Sequence, residues 1–233
     1  KIMSNIEWHV PFSPTIMETT VSNRFLDIVN RVGDEVLNDK EKSKKFDFSD
    51  NLVGKVNKEV KIPLVDSDQN YVNSELKQAC VKYFEKMIDN GHKVQLYANN
   101  EHSYELSEKN INITQSWIVS QYKNEYNPWH THSGQISAVI YLKIPKGMND
   151  FVKKEMEDHY PSSGMIQFMT GEKQSFRKDI MNVIPEVGKF ILFPSWLKHS
   201  VFPFYVEGER RSMSFNASYL DAKQAKLLKR SKK

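Results

Sequence analysis

Seven histidines punctuate the 233-residue chain, and three of them are placed to do chemistry. His130 and His132 flank Thr131. On an extended strand such residues share a face, so both imidazoles can reach one metal ion. His199 is the candidate third ligand. It lies between the apolar run Phe190-Ile191-Leu192-Phe193 and the strand-like Ser200-Val201-Phe202-Pro203, so it too falls at a strand end. Two neighbouring histidines plus one distant histidine leave coordination positions open, which suits redox iron or catalytic zinc better than a closed structural metal. Beyond Glu207-Gly208-Glu209, Arg210 alternates with Ser212, Ser214 and Asn216 on one strand face, while Arg211, Met213, Phe215, Ala217 and Tyr219 form a mostly apolar opposite face. An arginine beside a serine makes a carboxylate clamp, bidentate through the guanidinium and completed by a hydroxyl. Tyr141, on the strand after the histidine pair, is a third candidate donor. His9, His92, His102 and His159 have no such company and are read as surface or hydrogen-bonded groups. Trp129 and Trp196 flank the candidate ligands and are read as packing that holds the imidazoles.

The elements that must position these groups follow from periodicity. Phe25, Ile28, Val29, Val32 and Val36 predict a helix behind Ser22 and Asn23 as caps. Leu37 to Lys45 reads as a charged, solvated loop. A second helix is expected after Ser74, with Leu76, Cys80, Phe84, Met87 and Ile88 on one side; Cys80 on that stripe is core filling, not a nucleophile. Strands are expected over Asn110 to Tyr122, with Ile111, Ile113, Trp117 and Val119 on one face, and over Gln135 to Ile144, with Ile136, Ala138, Ile140 and Leu142 on one face. Phe190 to Phe193 is a short strand ended by Pro194, and Met165 to Met169 follows the turn Pro161-Ser162-Ser163-Gly164. Val201 to Val206 and Arg210 to Tyr219 read as a hairpin. The otherwise irregular Lys146 to Gly188 is the candidate lid. Helices followed by many antiparallel strands make an α+β chain on a β-sandwich or jelly roll.

Composition narrows the alternatives. Hydrophobic residues are 39% and charged residues 27%, which excludes a disordered chain, and no apolar run reaches membrane-helix length. The net charge of +4 is concentrated in the last residues, Lys223 to Lys233, so charge does not argue for nucleic acid. One cysteine excludes a disulfide framework and a thiolate metal site, and predicts a reducing, cytoplasmic home. Residues 1–219 are read as one domain and 220–233 as a basic tail. The oligomeric state is left open, a dimer included.

The order His-x-His, distal His, Gly-x-Arg-x-Ser resembles the iron(II)- and 2-oxoglutarate-dependent oxygenases. The segments NPWHTHSGQISAVIYLKIP and FILFPSWLKHSVFPFYVEGERRSMSFN are similar to the 2OG-Fe(II) oxygenase family common in marine phages and bacteria, related to the prolyl 4-hydroxylases. The resemblance runs from Asn110 to Tyr219, and Asn51-Leu52-Val53-Gly54-Lys55-Val56 also looks like the family's N-terminal part. It implies a double-stranded β-helix with N-terminal supporting helices, and Fe(II) held by His130, His132 and His199. It further implies 2-oxoglutarate with its far carboxylate on Arg210 and Ser212, with Tyr141 on the same carboxylate and Tyr122 lining that pocket. O2 is then the oxidant, and the products are succinate, carbon dioxide and an oxidised, expectedly hydroxylated, substrate of unnamed class. A phage-infected bacterial cytoplasm is implied in the same way.

The wider superfamily usually has Asp or Glu where this chain has His132. Three neutral imidazoles leave an iron ion its full double charge, which favours an anionic cosubstrate. Asp150 and Glu125 are alternative ligands without the spacing of His132. The competing reading is a three-histidine jelly roll that does not use 2-oxoglutarate, either a cupin-like dioxygenase or a structural protein. Such a protein has no need for the Arg210–Ser212 pair.

Overall fold

A computed structural model describes residues 14–49, 54–89, 106–150, 162–173, 175 and 177–220. His9, His92, His102, His159, Asn51 to Val53, Pro161 and the tail from residue 221 lie outside the described residues, as does the side chain of Ile88.

Two helices back the fold. Helix α1, Asn23–Leu37, begins where Ser22 Oγ accepts the Phe25 N–H at 3.1 Å, and buries Phe25, Ile28, Val29, Val32 and Val36 on one face. Lys40–Lys45 forms a short helix, α2, where a loop was expected. Its charges do face water, but Asp39 caps it by accepting the Glu41 and Lys42 N–H groups, a local bond that no apolar stripe announces. Helix α3 spans Asp66–Asp89 and starts well before Ser74: its first turn is polar, and Val72, buried four residues before Leu76, extends the apolar stripe back past Ser74. The Ser22 hydroxyl donates to Glu75 Oε2 at 2.8 Å and ties α1 to α3.

The strands are β1 Met17–Thr20, β2 Lys58–Lys61, β3 Ile111–Gln121, β4 Asn127–His130, β5 Ile136–Lys143, β6 Ile166–Met169, β7 Ile180–Val183, β8 Lys189–Pro194, β9 Lys198–Val201 and β10 Arg210–Tyr219. They form two antiparallel sheets, a major one in the order β1-β8-β5-β10-β3-β2 and a minor one in the order β4-β9-β6-β7. From β3 to β10 the chain passes back and forth between the sheets, and the resulting strand orders are those of a double-stranded β-helix.

One apolar core lies between the helices and the major sheet, built on Phe25, Leu76, Ile118, Ile140, Phe190 and Phe215. A smaller one fills the space between the sheets with Val139, Tyr141, Ile166, Phe168, Ile191 and Phe193. The two faces of β5 thus serve different cores, as its strict alternation predicts.

Three strand expectations are corrected. First, β3 has a bulge: Gln115 pairs with Asn216 but Ile113 with Ala217. The extra residue rotates the strand, so Ile111 and Ile113 pack on the helix core while Trp117 and Val119 face a cleft between the sheets. Second, Val201 and Arg210 do not start a hairpin. Strand β9 pairs with β4 and β6, whereas β10 lies between β3 and β5, and the connection crosses between the sheets. Third, Lys146 to Gly188 contributes β7 besides the expected strand at Met165 to Met169, which is β6 and places Phe168 directly opposite His199.

The segment before β2 closes the cleft's flank. Lys55 bridges Tyr126 through paired backbone hydrogen bonds of 2.9 Å. Gly54 makes this possible, because a Cβ there would lie 2.2 Å from the Tyr126 carbonyl oxygen and 2.7 Å from Asn127 Cα. Gly54→Ala is expected to cost about 1–3 kcal/mol of stability by forcing backbone apart. Urea denaturation of the wild-type and Gly54→Ala proteins checks this.

Candidate metal and anion site

The site is assembled by register. His130 on β4 pairs with His199 on β9, and His132 follows as the chain leaves β4, its N–H donating to the Ser195 carbonyl at 2.9 Å. The ligand atoms of His130, His132 and His199 all lie within 4.8 Å of one another, a grouping the described residues form nowhere else. Carbonyls can only accept, so the 2.7 Å contact of His130 Nδ1 with the Pro128 carbonyl, and the 2.9 Å contact of His199 Nδ1 with that of Leu197, place a proton on each Nδ1. The Nε2 lone pairs are thereby left free to ligate. His132 Nε2 stands 3.2 Å from His199 Nε2. Two nitrogens on one ion at about 2.0–2.1 Å are roughly 2.8–3.4 Å apart, so the His132–His199 pair already has the spacing of two ligands on one metal.

The rings sit in apolar company. Phe193 is 4.8 Å and Phe168 6.0 Å from the His199 ring, and Trp117 is 5.6 Å from His132. Trp129 and Trp196, expected in this role, are 41% and 58% exposed. Trp129 directly precedes His130 on a strand, so it faces away. Burial holds all three imidazoles below the usual histidine range, His132 at about 4 and His199 at about 3, with the neighbouring rings opposing further charge. They are neutral at physiological pH, the form that binds metal.

The anion half lies on β10. Arg210, Ser212, Ser214 and Asn216 line a cleft of about 330 Å³ together with the three histidines. Arg210 is 2% exposed. Its Nη1 donates to Gln121 Oε1 at 2.7 Å, its Nε is buried without a partner, and no described carboxylate pairs with it. Arg211, one residue on, points the other way and is matched by Asp34 at 2.8 Å and Glu209 at 2.7 Å. Tyr141 pairs with Ser212 across the strands. It is fully buried, with its ring centroid 4.9 Å from the Arg210 guanidinium carbon, and its hydroxyl is within the influence of that guanidinium. The unpartnered Arg210 Nε, with the Tyr141 hydroxyl beside the same guanidinium, fits a carboxylate.

Tyr122 stands outside this group. It is 41% exposed, since Gln121 takes the inward-facing position. Glu125 is occupied with the Tyr122 and Asn57 N–H groups at 2.8 and 2.9 Å. Gln121 was not foreseen, because its role depends on its pairing with Arg210.

A double-stranded β-helix carrying three converging imidazoles and a buried, unmatched arginine defines the class of a non-haem metal oxygenase. Residues 115–216 match the family model described as "Putative 2OG-Fe(II) oxygenase". Over that span the chain is similar to the 2OG-Fe(II) oxygenases. It is an oxidoreductase whose cofactor and cosubstrates are Fe(II), 2-oxoglutarate and O2. No curated protein matches the chain in sequence.

Similar solved structures include a Trichoplax adhaerens prolyl hydroxylase in complex with a hypoxia inducible factor oxygen degradation domain peptide fragment (16% identity, 92% of this chain and 86% of that one, TM-score 0.48). A Pseudomonas putida prolyl-4-hydroxylase has 12% identity over 86% of this chain and 91% of that one, at a TM-score of 0.45. A 2OG-Fe(II) oxygenase family oxidoreductase from Burkholderia pseudomallei has 13% identity over 72% and 63%, at 0.42. At such values the likeness is one of outline, and the fold rests on the strand order itself. Among the described residues no helix is long and apolar enough to cross a membrane.

The depressed histidine values set a pH dependence for the metal-free protein. The unfolded chain takes up protons below about 6.5, while folded His132 and His199 resist until about 4 and 3. Stability therefore falls as pH is lowered through that window. The urea midpoint of the metal-free protein is expected to drop between about pH 7 and about pH 4.5, and to drop less in His132→Gln.

Proposed function

We propose that this chain is a 2-oxoglutarate-dependent hydroxylase in which His130, His132 and His199 hold the iron. Arg210 binds the far carboxylate of 2-oxoglutarate, with Ser212 and Tyr141 completing the clamp. The observation that carries this reading is the isolation of Arg210. A buried guanidinium without a counter-charge is costly, and among the described residues two carboxylates pair with Arg211 but none with its neighbour. An exogenous dicarboxylate supplies the missing charge. A three-histidine site that dispensed with 2-oxoglutarate would have no reason to bury this arginine in the metal cleft.

Bound iron and 2-oxoglutarate supply the oxidising chemistry, with succinate and carbon dioxide as products. The protein's own residues bind, orient and exclude water. The Pro128 and Leu197 carbonyls fix the ring planes of His130 and His199. Gln121 holds the guanidinium at 2.7 Å in the direction of the cleft. Trp117, Phe168 and Phe193 keep water from the imidazoles. Residues 1–219 form the oxygenase domain in this reading, with 220–233 a peripheral basic tail, and the setting is a cytoplasm supplied with 2-oxoglutarate.

Anaerobic titration of the metal-free protein with Fe(II) and then 2-oxoglutarate tests this through the visible absorption of the chelate, followed by a succinate assay in air. His199→Ala is expected to abolish both signals. Arg210→Ala is expected to weaken 2-oxoglutarate about a hundredfold, and Tyr141→Phe about tenfold. Iron binding with no chelate absorption at any 2-oxoglutarate concentration would overturn the assignment.

A further inference from the structure

The cleft contains a second buried charge that neither iron nor 2-oxoglutarate uses. Glu59 pairs with Val119, placing its side chain on the inward face of β2, where it lines the cleft with Phe48 and Trp117. It is 5% exposed, and among the described residues its carboxyl has neither a hydrogen bond nor an ion pair. Burial, reinforced by Asp47, pushes it up to about 7. Packing alone is better served there by an apolar side chain, because an unmatched carboxyl loses hydration and gains nothing in return.

The charged groups around it are few. Asp47 has the same sign, and the exposed Lys61 ammonium lies 5.6 Å from the Phe48 ring instead of pairing with Glu59. An anionic cosubstrate is repelled by such a group, so Glu59 serves another ligand. Its neighbours indicate which kind. Phe48 and Trp117 are in ring contact at 5.2 Å and present π-faces, which attract cations. Asn127 Oδ1, in the same cleft, is a second buried acceptor with no donor. Two unmatched acceptors and an aromatic wall call for a ligand rich in N–H groups and positively charged.

We propose that Glu59 is the specificity-determining residue of the cleft, and that the substrate carries a primary ammonium or guanidinium group that binds the Glu59 carboxylate beside the Phe48 and Trp117 rings. This rests on the oxygenase reading of the same cleft. Binding of the cation ionises the carboxyl and supplies the partner that the fold withholds.

The test uses the full chain loaded anaerobically with Fe(II) and 2-oxoglutarate. It is titrated calorimetrically with Nα-acetyl-lysine amide and Nα-acetyl-arginine amide, and with their neutral counterparts, the norleucine and citrulline amides. The same four residues flanked by glycines in short peptides separate a small-molecule from a polypeptide source. Each cation, in at least one of the two forms, is expected to bind about tenfold or more tighter than its neutral isostere, and this preference is expected to vanish in Glu59→Gln. That variant keeps the side-chain shape, and its thermal midpoint verifies folding; Glu59→Asp is the second variant and is expected to retain part of the preference.

Equal binding of cation and isostere, no detectable binding of any cationic probe, or a preference that survives in Glu59→Gln overturns the proposal. The chelate absorption in the same samples separates the two readings. If it is absent from the wild-type protein, the oxygenase site itself fails. If it is present without cation preference, only the Glu59 assignment fails.

Discussion

A guanidinium buried, among the described residues, without a carboxylate beside it sets the terms for the rest of this structure. Strand β10 runs through the middle of the major sheet, hydrogen-bonded on both sides, so its residues alternate strictly between the helix core and the cleft. Met213, Phe215 and Ala217 go to the core. Arg210, Ser212 and Ser214 go to the cleft. Burial of the apolar set stabilises the domain and drives the polar set inward against its hydration preference. Arg211 shows that the chain neutralises an arginine where it needs only stability. Arg210 shows the opposite arrangement where a ligand must complete the charge balance.

The same economy of water governs the histidines. Their carbonyl partners hold the Nδ1 protons, and Phe168, Phe193 and Trp117 displace solvent from the rings. Burial keeps the imidazoles neutral, and neutral nitrogens aimed at a common point are a metal site in waiting. Strand β6, the one strand legible within the Lys146 to Gly188 stretch, supplies the residue opposite His199. Holding this site is therefore a task of the minor sheet, while binding the anion is a task of the major sheet.

The N-terminal part of the chain adds a third wall. Helices α1 and α3 back the major sheet, and the segment through Gly54 and β2 lies along the cleft's flank. Phe48 and Glu59 come from this wall, and Trp117 belongs to the neighbouring strand. The oxidising centre and the wall facing it thus come from different parts of the sequence.

What the sequence determined by itself is what depends on local spacing. The i, i+2 rule put His130 and His132 together, strand alternation separated Arg210 from Arg211, and helical period with a serine cap defined α1. Tertiary structure decided what depends on register. The bulge in β3 turned Trp117 toward the cleft and left Ile113 on the helix core, and no periodicity announces an extra residue. The crossing between β9 and β10 separated two segments that read as a hairpin, because the partners that satisfy the β9 backbone lie in β4 and β6. The capped polar turn of α2 and the polar first turn of α3 carried no apolar signal. Gln121, Asn127 and Glu59 acquire their places only through strands distant in sequence. A lone polar residue in a strand looks the same in sequence whether its neighbour across the sheet is water, an arginine or an empty acceptor-lined cleft.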